Sequence, residues 1–161
     1  MNGEQSGDPV PWSRPQNVIA YREARAMLDA QQTRKQHFDD AALRTSRLTT
    51  VVVGVFASLV VGIDPMVRPV LAGAGGVALL GAFGTSLAAH NFAQLYLGPG
   101  EEYLGEFLDL PDSDWEQDLL GAMGEWVDGN EQTLKTTSEL LVVAEALLFA
   151  GTALAAGGIV L

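Results

Sequence analysis

Three long stretches of this 161-residue chain are almost free of charge, and a chain this short has little else with which to cover them. Between Arg47 and Asp64 lie sixteen uncharged residues, LTTVVVGVFASLVVGI. As a helix they reach about 24 Å, and Arg44 and Arg47 extend that reach by snorkelling toward the ~30 Å hydrocarbon slab. The second run, PVLAGAGGVALLGAFGTSLAAH, occupies residues 69–90, and the third, ELLVVAEALLFAGTALAAGGIVL, residues 139–161. A soluble helix bundle is the alternative, but three runs this rich in Gly and Val exceed what a small soluble core uses. The expectation is an all-α integral membrane bundle with spans at 48–63, 69–90 and 139–161.

Charge sets the orientation. Seven Arg and Lys precede the first span, with Arg44 and Arg47 at its edge; the loop after it holds only Arg68. The expected arrangement is a multi-pass cell-membrane protein with a cytoplasmic N-terminus, a tight outside turn at DPMVRP, and residues 98–138 as an acidic cytoplasmic helical segment. Twelve acids between Glu101 and Glu139 face one base, Lys135, so the whole net charge of −11 resides there. Without a basic patch the chain has no means of neutralising phosphates, which excludes nucleic acid as a partner. The lipid bilayer is the expected partner, with a second copy and a cytoplasmic protein as further candidates. Few Lys beside many acids resembles the composition of proteins from salt-loving archaea.

Residues 1–16 contain three prolines and no apolar run, so they are expected to form a disordered tail pinned by Trp12 and not a signal peptide. Residues 17–161 are expected to be one membrane domain. From 17 to 47 there is neither Pro nor Gly, and Asn17 is the expected N-cap of a helix running to Ile63. Tyr21, Ala24, Leu28, Gln31, Lys35, Phe38, Ala42 and Thr45 share one face at coiled-coil-like spacing. Ser113 and Glu116 form an expected capping box. After it Trp115, Leu119, Met123, Trp126, Asn130, Leu134, Thr137 and Leu141 lead into the third span, with a bend or fray expected near Gly129 unless a partner covers the helix there. These two stripes either pack on each other or leave surface for a partner.

Glu145 is the only formal charge inside a span, at a cost of about 2.5–3.5 kcal/mol, which makes it a functional candidate. It either serves a proton-linked or pore-lining role with His90 or fixes helix rotation as an acid near the interface. Gly73, Ala74, Ala78, Gly81 and Ala82, with Gly151 and Ala155, are candidate close-packing positions, used internally or for self-association. Asp64 and Arg68 are spaced to pair across the outer turn. His37, Asp39 and Asp40 diverge too far on a helix to hold a metal. There is no Cys, nucleophile–base pair, phosphate-binding Gly loop or dinucleotide fingerprint, so neither an enzyme nor a cofactor is expected.

The stretch AMLDAQQTRKQHFDDAALRTSRLTTVVVGVFASLVV resembles the Pycsar-type transmembrane effector domains of nucleotide-signalled antiviral defence. In that family a helix bearing Asp-x-Lys-Ala enters the first span directly. Asp39, Asp40 and Ala42 fall on this element, with Ala41 in place of its Lys. Asn130, Leu134 and Lys135 are similar to the family's returning helix. The resemblance implies an oligomeric effector that perturbs the bilayer or the membrane potential when its cytoplasmic part is engaged. A membrane scaffold or accessory subunit, and a proton-coupled carrier subunit using Glu145, are the alternatives.

Overall fold

The computed structural model describes residues 12–62, 68–92, 94–96, 98–100, 103–105 and 115–160, with the side chains at 60–62 and 160 left aside. These form four helices, three of them long: α1 (Pro15–Gly62), α2 (Pro69–Phe92), the single turn α3 (103–105) and α4 (Trp115–Val160). The expected all-α class therefore holds. Among the described residues, α2 and the apolar part of α4 are long and apolar enough to cross a membrane. At 24 residues α2 is about 36 Å long, more than a hydrocarbon core requires. The expected first span makes up the last part of α1, which is not one of these two helices. Arg44 and Arg47 shorten its described charge-free part, and Ile63 lies outside the described residues.

Helix α1 begins at Pro15 and not at an Asn17 cap. Proline at the first helical position has a φ preset for the helix and lacks the N–H that would go unbonded there. The Asn17 N–H already bonds the Arg14 carbonyl at 3.0 Å. Nor does α4 break at Gly129: it is helical throughout Trp115–Val160. The Gly129 carbonyl accepts the Thr133 hydroxyl at 3.0 Å, and buried positions on both sides, Met123 and Asn130, hold the helix.

The chain divides into two compact units. The first comprises Met1–Ala30 and Tyr96–Asp128, the second Gln31–Leu95 and Gly129–Leu161. In the second, Ala42 packs with Ala89 and Leu141, while Val52 and Phe56 pack with Leu79, Ala82 and Leu148. These pairings make α1 and α4 parallel there and α2 antiparallel to both. Buried and half-buried positions of α1 in this unit recur at 31, 35, 38, 42, 45, 49, 52 and 56. On α4 they recur at 130, 134, 137, 141, 144, 148, 151, 155 and 158. Alternating steps of three and four are the knobs-into-holes repeat of left-handed helix packing.

The interior of this unit is made largely of small and hydroxyl side chains: Ala42, Thr45, Ser46, Thr49, Gly75, Ala82, Ser86, Ala89, Thr137, Ala144, Gly151 and Ala155 are buried. Large apolar side chains instead face outward, among them Val51, Val70, Val77, Leu80, Val142 and Phe149, the last 74% exposed.

Candidate functional site

At the His90 end of α2 a small charged cluster forms. Lys35 and Asp39 stand one turn apart on α1, and Lys35 Nζ bonds one Asp39 oxygen. The other, Oδ1, faces His90 Nδ1 across 3.4 Å, and neither of these two buried atoms has a hydrogen-bond partner among the described residues. Below lies the Ala42–Ala89–Leu141 contact, flanked by Phe38, Ala41 and Leu140. The Asp39 carboxylate thus stands between an ammonium and an imidazole where the polar part of α1 meets its apolar part.

His90 therefore pairs with Asp39 and not with Glu145. Glu145 stands exposed and makes no hydrogen bond or ion pair among the described residues. Of the other motif residues, Ala42 and Asn130 are buried, while Asp40 and Lys135 are exposed. Lys135 borders a surface groove with Arg34, Glu131 and Glu139, in which Arg34 pairs with Glu131 at 3.2 Å. Among the described residues no three His, Asp or Glu converge on a metal position. Asp64 lies outside the described residues; the Arg68 N–H bonds the Gly158 carbonyl at 2.9 Å, tying the start of α2 to the end of α4.

Small residues do bring α2 and α4 together, through part of the expected set and through Gly75 and Gly158 besides. A Cβ on Gly75 would lie 2.6 Å from the Ala155 nitrogen, one on Gly151 2.9 Å from Leu79, and one on Gly158 2.8 Å from the Ala72 nitrogen. Gly151, Ala155 and Ala82 are buried as expected, and Gly81 sits against Leu147. Gly73 and Ala74 are exposed, and Ala78 is half-buried. The contact face runs through 75, 79, 82, 86 and 89, one residue round from the stripe chosen on sequence. On the α1 side, Ser46 and Ser86 share a buried hydroxyl–hydroxyl bond of 2.7 Å.

The first unit is held by a polar clasp. The expected capping box of Ser113 and Glu116 involves Ser113, which lies outside the described residues. The Glu116 carboxylate accepts the Ser13 hydroxyl at 2.6 Å, the Ser13 N–H and the Asn17 side-chain amide. The Ser13 hydroxyl holds this carboxyl below its ordinary range; burial opposes that, while the Ser13 N–H, the Asn17 amide and the Arg14 charge reinforce it. Trp12 lies 5.2 Å from both Tyr21 and Trp115. Tyr103 meets Trp126 edge-on at 5.4 Å, and its hydroxyl donates to Asp118 at 2.9 Å. Its phenol is pushed up to about 12 by burial first, then by that bond and the Asp118 charge. Beside these rings opens a recess of about 240 Å³ lined by Tyr21, Arg25, Leu28, Tyr103, Met123 and Trp126. No sequence periodicity pointed to it, because it needs α3 and the turn before it.

Comparison of the chain with protein-family models, curated proteins and solved structures returned no match.

Proposed function

We propose that this is an integral membrane protein with three spans, the apolar end of α1 joining α2 and α4, and with its N-terminus in the cytoplasm. The observation that carries this reading is the inverted placement of side-chain size in the second unit. Alanine, glycine, serine and threonine fill most of the buried positions, between Leu79, Leu134, Leu141 and Leu148, while Val51, Val70, Val77, Leu80, Val142 and Phe149 lie outside. In water such a surface is an aggregation liability; in lipid tails it is the expected outer coat, and small residues are the expected interface. The excess of Arg and Lys before and within α1 supports the orientation.

Within that frame the protein acts as a membrane-perturbing effector without catalytic chemistry of its own, engaged through its cytoplasmic helices. Supporting this are α1 and α4, each of which passes from a charged segment into an apolar one without a helical break. The test is membrane potential, followed with a voltage-sensitive dye in cells producing wild type or Glu145→Leu. Depolarisation by wild type alone supports a conducting assembly that uses the acid, and depolarisation by both supports bilayer disturbance independent of it. If both reach the membrane and neither changes the potential, the effector reading fails. A scaffold reading is favoured by one feature, the aromatic recess beside Tyr103 and Trp126, which offers a partner an apolar foothold.

A further inference from the structure

Copies inserted in one bilayer with one topology share a common depth, so residues of neighbouring copies meet only if they lie at the same level. Within the second unit that level can be read off. Arg34 lies against Glu131 and Ala42 packs with Leu141, so α1 and α4 residues 97 to 99 apart in sequence share a level, and Glu145 lies within about one residue of the level of Arg47. Both side chains are exposed, and neither has a hydrogen bond or ion pair among the described residues. A carboxylate beside exposed Val142 and Phe149 and a guanidinium beside exposed Leu48 and Val51 are each costly in an apolar surround and complementary to one another.

We infer that the outward face of α4 docks on the outward face of α1 of a second copy, pairing Glu145 with Arg47. The contact joins two different surfaces, so it is head-to-tail and propagates to a ring rather than ending at a two-fold dimer. The inference rests on the membrane reading above.

Cross-linking tests it, and the absence of native Cys gives a clean background. Two differently tagged full-length chains, Glu145→Cys and Arg47→Cys, are co-produced and oxidised in membranes. The expected result is a dimer-mass band carrying both tags, absent when either variant is produced alone. No mixed band from chains that resist alkaline extraction overturns the proposal while leaving the membrane reading intact. So does a band from Glu145→Cys alone, which would mean a two-fold face. So does the doubly substituted chain closing on itself at monomer mass, since Glu145 and Arg47 would then pair within one copy. Chains that wash off in alkali overturn the membrane reading, and this inference with it.

Discussion

Gly75 and Ala155 meet backbone to backbone, so closely that a methyl group on the glycine would lie 2.6 Å from the Ala155 nitrogen and 2.9 Å from its Cα. Neither helix can yield there without moving its neighbours, because Gly151 against Leu79 and Gly158 against Ala72 make the same kind of approach about one helical turn to either side. Gly75→Val is therefore expected to cost about 1–3 kcal/mol or more through overpacking, seen as a lowered Tm in detergent. Gly76→Ala, at a position where a Cβ meets nothing, is expected to leave Tm unchanged or slightly raised. Equal effects would mean that the contact face is misassigned.

The Glu116 clasp should be sensitive to acid. Its carboxyl is held below the ordinary value in the folded chain, so its contribution is fully present above the unfolded value and is lost as pH falls through the folded one. Tryptophan emission from the Trp12–Trp115 contact is expected to change over that acid range. In Glu116→Gln the step should be absent, with the emission already altered at neutral pH. A wild-type profile flat down to pH 2 would contradict the clasp.

Tyr103 runs the other way. Its phenol is raised from 10 to about 12, so the neutral form's bond to Asp118 is intact below the ordinary value and is lost as pH rises through the folded one. Absorbance at about 295 nm should show one of the chain's tyrosines ionising late. Asp118→Asn should bring that tyrosine back toward the others. An unchanged titration would leave Asp118 without the role given to it.

Leu134 and Ser86 are both essentially inaccessible, yet their losses should differ. Leu134→Ala leaves a cavity and is expected to cost about 2–5 kcal/mol. Ser86→Ala gives up the bond to Ser46 while keeping the packing, and interhelical bonds in apolar surroundings average about 0.6 kcal/mol. Chemical denaturation in detergent separates the two; a larger loss at Ser86 would mean that the hydroxyl pair organises the bundle.

How much of this was legible beforehand depends on the range of the interaction. The inward face of α1 from Tyr21 to Thr45, and that of α4 from Trp115 to Leu141, follow from spacing alone, because a helix repeats its own geometry every few residues. The α2 face was misread by one position. Its glycines and alanines offer several equivalent stripes, and only the location of Ala72, Ala155 and Leu79 opposite Gly158, Gly75 and Gly151 chooses among them. Asp39–His90 and Ser13–Glu116 were missed because each joins residues far apart in the chain, which the spacing within one helix does not register.

The Ser46–Ser86 bond also sets what kind of motion α1 can make. Turning the helix by a single residue in one direction would replace the Ser46 hydroxyl opposite Ser86 with the guanidinium of Arg47, carrying an ion into a buried site at a large desolvation cost. The position acts as a detent against that direction of twist, and a slide along the helix axis would also part the two hydroxyls, whereas a small tilt about the contact would not. Motion of α1 within the second unit is therefore biased toward tilting about the Ser46–Ser86 contact.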